Sequence, residues 1–228
     1  MFRKSSIWLC LTLCTFPVWS QSLYRIGMLP QVNFNTSLKS DWGLNSKIES
    51  RQIFRRGIFD DPEFSGYEYA LTDVSLVLTH KFYSGSSAAG GYLMRISEEG
   101  LAHRFIQQYS FVNRYAGFRL GHRFVADQTL ESGEDASFRL RYRIGIDLAL
   151  NGQKVDPGEW YFKLTNEYLN VLEGGTYDLE LRLGPTLGHA FTDKNKLEVG
   201  LDYRWDSLLS ETRRHSLWLK FAWYLKYG

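Results

Sequence analysis

Residues 138–150 read Phe-Arg-Leu-Arg-Tyr-Arg-Ile-Gly-Ile-Asp-Leu-Ala-Leu. The apolar set Phe138, Leu140, Tyr142, Ile144, Ile146, Leu148 and Leu150 alternates with Arg139, Arg141, Arg143, Gly145, Asp147 and Ala149. A helix would scatter that set around its axis. A strand sends successive side chains to opposite faces, so one face here is apolar and the other carries three guanidiniums and a carboxylate. Soluble strands run to roughly 5–6 residues, whereas a tilted strand crossing a bilayer needs roughly 9–11. A run this long with one apolar and one ionic face suits a membrane barrel, its apolar side toward lipid and its ionic side lining the lumen.

The same period recurs outward from this stretch. Leu197, Val199, Leu201, Tyr203 and Trp205 alternate with Glu198, Gly200, Asp202 and Arg204, and Leu217, Leu219, Phe221, Trp223, Leu225 and Tyr227 close the chain in the same way. Further strands are expected at about 31–38, 42–54, 67–82, 87–97, 103–112, 117–127, 159–170 and 177–189. His122 and Gln107 fall on otherwise apolar faces and mark either a less hydrophobic strip or a slip of register. Trp42, Trp160, Tyr168, Trp205, Trp223 and Tyr227 lie near strand ends, where interfacial aromatics belong. The expected fold is an all-β, transmembrane, antiparallel up-and-down β-barrel over 21–228. Eleven strands can be counted, but single-chain bacterial barrels have even numbers. Leu23–Leu29 is therefore read as a separate strand turning at Pro30, giving twelve; ten is the alternative, should 31–38 not complete a crossing. Arg55–Gly66 is the longest expected loop and is assigned to the outer rim.

The N-terminus reads as an address. Arg3 and Lys4 precede the apolar run Ile7–Val18, which is too short to span a bilayer, and Val18-Trp19-Ser20 offers a cleavage site before Gln21. Residues 1–20 are read as a signal peptide and the destination as the bacterial outer membrane. Cleavage would remove both cysteines, Cys10 and Cys14, excluding a disulfide scaffold. It would also remove Arg3 and Lys4, bringing the 27 basic side chains level with the 25 acidic ones. No general field for nucleic acid remains.

Three stretches carry a family resemblance: Asn33–Phe54, the arginine-rich Arg139–Arg143, and Leu164–Tyr168, together with the closing alternation. They resemble an uncharacterised outer-membrane β-barrel family of Gram-negative bacteria, a family built on a domain of unknown function. The resemblance implies a barrel in that membrane and supplies no catalytic residues.

Chemistry, if present, belongs in the lumen. On the polar faces cations outnumber anions, and the densest cluster is Arg119, Arg123, Asp127, Arg139, Arg141, Arg143, Asp147 and Glu167. Three arginines at alternate positions repel one another unless paired or bound to an anion; Asp127 and Glu167 are the expected partners. Small barrels fill their interiors with such side chains, which makes a plugged structural or surface-interaction barrel one reading. The other is a narrow anion-favouring channel taking a small anionic solute, since rings of Arg and Lys select anions. No G-x-S-x-G, H-E-x-x-H or P-loop pattern occurs, and the five histidines lack metal-ligand spacing. No enzyme activity, metal or cofactor is expected; membrane lipids are the expected surroundings. The alternatives are an outer-rim hydrolase built from Asp60, Asp61, Asp206, His103 and His215, and a secreted soluble ligand-binding barrel.

Overall fold

A computed structural model describes residues 22–59, 61–83, 85–210 and 212–228. The expected signal peptide and Asp60 lie outside these residues. The chain forms eleven strands in one closed sheet: β1 (Leu23–Ser37), β2 (Trp42–Ile58), β3 (Asp61–Tyr83), β4 (Ser86–Ser97), β5 (Gly100–Tyr115), β6 (Phe118–Glu131), β7 (Ser137–Ala149), β8 (Glu159–Glu173), β9 (Thr176–Thr192), β10 (Asn195–Asp206) and β11 (Arg214–Tyr227). Consecutive strands pair antiparallel, and none of the described residues is helical.

The expected count of twelve is corrected to eleven. Leu23–Leu29 and 31–37 belong to one strand, because Pro30 does not turn the chain. Pro30 sits where the ladder to β2 lapses, between Met28↔Gln52 and Gln31↔Glu49, while the parallel ladder to β11 runs on through Pro30↔Phe221. An odd number of alternating strands leaves the first and last running the same way. β1 and β11 therefore close the barrel as a parallel pair, from Leu23↔Arg214 to Thr36↔Tyr227.

The expected loop Arg55–Gly66 is also corrected, since β2 runs on to Ile58 and β3 starts already at Asp61. Three register shifts let β3 hold extra residues such as Ala70, which reverses the facing of its side chains and breaks the simple alternation there. With this loop gone, the longest connection is 150–158, on the opposite rim, so loop length no longer distinguishes the two ends of the barrel. Where β1 meets the bulged part of β2, Gly27 is required. A Cβ at that position would lie 2.1 Å from the Gln52 carbonyl oxygen.

The two faces of the sheet differ in polarity. Phe138, Leu140, Leu148, Leu187 and Leu219 are exposed on the outside, while Glu49, Asp73, Asp127, Glu167 and Glu198 are buried inside. Alternation along each strand accounts for both sets at once.

Candidate functional site

The inward face of β6, β7 and β8 carries a belt of ion pairs. Register places Asp127 opposite Arg139, and Glu167 between Arg143 and Arg182 on the neighbouring strands. Asp127, only 1% exposed, gathers three arginines. Arg139 donates from Nε to its Oδ1 at 2.7 Å, and Arg141 from Nη2 to its Oδ2 at 2.6 Å. Arg104 lies 3.4 Å from Oδ1 while donating to the Thr129 hydroxyl at 2.8 Å. Glu167 accepts from Arg143 Nε at 2.7 Å and from Arg182 Nη1 at 3.2 Å. Charge-assisted contacts of this kind let guanidiniums face one another without net repulsion. Arg119 and Asp147 meet at 2.8 Å close to the 150–158 rim, where both side chains are more open to solvent.

Of the eight residues singled out in the sequence, seven therefore join ion pairs. Arg123 does not. It stands opposite Arg143, and among the described residues it has no hydrogen-bond or ion-pair partner.

The belt continues beyond that cluster. Arg95 holds Asp73 through two hydrogen bonds of 2.8 Å, Glu49 accepts from Lys47 and Arg51 at 2.9 and 3.0 Å, and Arg204 grips Asp202 through two bonds of 3.0 Å. Glu198 accepts from the Tyr161 hydroxyl at 2.9 Å and pairs with Lys163, with Lys220 at 3.8 Å. All of these lie on polar faces that strand period alone identifies; what the sequence hides is which carboxylate each cation meets. A second, apolar filling is harder to foresee. Leu29, Ile53 and Trp218 pack together inside the barrel, against Phe64 and Ala70.

Of the residues grouped as a rim hydrolase, Asp206, His103 and His215 are not brought together. Asp206 points inward and accepts from Ser216 Oγ at 3.1 Å, whereas His215 points outward and bonds the Tyr203 hydroxyl at 2.7 Å. His103 is outward too, against Tyr92. The remaining histidines, 80, 122 and 189, likewise sit outside against aromatic rings. His122 and Gln107 do form part of a more polar exterior strip: His122 bonds the Tyr142 hydroxyl, and Gln107 and Gln128 exchange two amide hydrogen bonds. Among the described residues no group of three or more His, Cys, Asp or Glu could hold a metal ion.

A family model described as protein of unknown function (DUF2490) matches residues 26–216, which takes in β2 to β10, most of β1 and the first three residues of β11. The chain belongs to this family. DUF2490 carries no assigned activity in its description, so it places the barrel without naming its work. No curated protein matches the chain.

Proposed function

We propose that this DUF2490 chain is an outer-membrane β-barrel, exported by residues 1–20, non-enzymatic, with a lumen closed by its own charged side chains. One observation carries the reading: the barrel is apolar outside and ionic inside. In water, the exposed band that includes Phe138, Leu140, Leu148, Leu187, Leu219 and Trp223 would forfeit roughly 25 cal/mol for each Å² of apolar surface left wet. Contiguous exposed apolar surface of that kind belongs in lipid or in an interface. A soluble ligand-binding barrel needs the reverse arrangement, with Leu140 and its neighbours turned inward. Strands of 12 to 23 residues are long enough to cross a tilted bilayer path.

The belt favours a plugged structural or surface-interaction barrel over an open channel. Carboxylates buried to the degree of Asp127 and Glu198, with cations arranged around them, occupy the cross-section that a conducting pore leaves to water. The test begins with fractionation and a gel of boiled and unboiled samples. The expected result is an outer-membrane protein whose unboiled band migrates apart from the boiled one; a soluble chain with no shift would overturn the proposal. In planar bilayers the refolded barrel should show little steady conductance. A clear conductance whose reversal potential moves in Arg141→Glu would instead establish the anion-favouring channel. Leu140→Arg should cost roughly 2–4 kcal/mol of folding free energy if residue 140 faces mid-bilayer lipid, read from urea titration in vesicles.

A further inference from the structure

We infer that the lumen holds a binding site for one small soluble oxyanion, a phosphate, sulfate or carboxylate, between Arg123 and Arg143. This deepens the membrane-barrel reading by naming the class of solute, but the site needs only the closed barrel and not the membrane around it.

From the 150–158 rim inward, β6 and β7 present their lumenal faces as a ladder of pairs: Arg119 with Asp147, Gly121 with Gly145, Arg123 with Arg143, Val125 with Arg141, and Asp127 with Arg139. The first and last of these are complementary. The middle one sets two guanidiniums directly across from each other, where like charges are unfavourable unless something lies between them. The other arginines of this ladder, 119, 139, 141 and 143, each meet a carboxylate; Arg123 meets none among the described residues. Arg143 spends its Nε on Glu167, leaving its two terminal amino groups without a partner among the described residues. Arg141, next along the same face, keeps its Nε buried with no acceptor. Arg123 and Arg143, directly opposite each other, therefore both keep guanidinium donors without an acceptor.

The wall beside the pair carries no side chain: Gly121 and Gly145 precede it, and a Cβ on Gly121 would sit in ordinary contact at 3.9 Å, whereas one on Gly145 would lie 3.3 Å from the Thr165 methyl. Arg123 retains an exposed side chain although the lumenal neighbours on its own strand, Val125 and Asp127, are buried at 7% and 1%. A guanidinium open on its face and flanked by a notch offers its planar fork to two oxygens of one anion, the geometry that suits phosphate and carboxylate. Arg119, half exposed at the mouth, extends the positive potential toward solvent and would draw such a solute inward.

The experiment uses the full-length mature barrel refolded in non-ionic detergent. Equilibrium dialysis against radiolabelled inorganic phosphate, at constant ionic strength made up with chloride, measures binding. The boiled and unboiled gel run on each sample reports the fold separately. The expected result is about one phosphate per barrel, bound at least about tenfold more weakly by Arg123→Gln. Should that variant fail to fold, Gly121→Leu fills the notch without changing charge and is expected to weaken binding likewise. A wild-type barrel that is heat-modifiable yet binds no phosphate overturns the site. So does binding equal in wild type and both variants, or binding of an anionic phospholipid without binding of free phosphate.

Discussion

The lumen is filled in two chemically opposite ways. Across β6, β7 and β8 it is filled by Asp127, Glu167 and their arginines; beside the parallel seam, where β1, β2 and β11 meet, it is filled by Leu29, Ile53 and Trp218. The difference follows the backbone. The β6–β7 and β7–β8 ladders run without a register shift, so a carboxylate and a cation placed at matching positions are held opposite each other. β2–β3 shifts three times and β1–β2 once. A bulged, irregular wall does not line up charges reliably, and an apolar plug, which asks only for volume and contact, is the more tolerant filling. Order in the ladder and charge in the lumen thus go together.

That contrast makes removing Asp127 the severest single test. Asp127→Ala leaves Arg104, Arg139 and Arg141 facing one another with their shared acceptor gone, and a broken buried pair costs about 3–5 kcal/mol. Folding equilibria in urea with vesicles should show a loss of that size. A change below about 1 kcal/mol would mean that lumenal water, and not the carboxylate, neutralises the arginines. On the seam side, Leu29→Ala removes a side chain only 2% exposed and should cost about 3 kcal/mol, through lost burial plus the cavity left behind. The two losses should add in the double variant, because the sites share no partner. Strong coupling would instead mean that the seam and the belt form one filled unit.

The sequence made one side of this comparison far more legible than the other. Strict alternation over 138–150 identifies which residues face inward, and Asp127 and Glu167 can be named as partners because their strands adjoin β7 in chain order. The strand count fails at Pro30, where a residue that usually ends a strand sits at a lapse in the ladder and ends nothing. Arg55–Gly66 fails for a related reason. Two further register shifts, between Ile53 and Arg55 and between Arg56 and Ile58, break the alternation there, so 55–66 reads as loop. Ile53 and Trp218 share inward parity with the charged residues of β2 and β11. Taken singly, they look like exceptions on a polar face; only closure of the sheet brings them together as a cluster. Arg123 was visible as a member of the charged group, yet its isolation depends on the exact opposite residue, which no pattern within one strand reveals.

The smallest expected effect divides the ionic side itself. Arg119 and Asp147 make as short a contact as Arg95 and Asp73, 2.8 Å in each case, but Arg119 is 49% exposed and Asp73 only 4%. If geometry governed the energy, losing either pair would cost alike. If burial governs it, Arg119→Gln should cost roughly 0.2–1 kcal/mol, since water and ions at the rim replace most of what the pair supplies. The same argument sets the salt response. Raising salt to about 1 M shortens the screening length to roughly 3 Å and should erase the difference between Arg119→Gln and wild type. The penalty of Asp127→Ala should persist at that salt, because its three arginines lie where mobile ions do not enter freely. Urea titrations of both variants at low and high salt therefore measure how far solvent reaches into the barrel. A salt-insensitive Arg119→Gln would place the start of the dry belt at the rim itself.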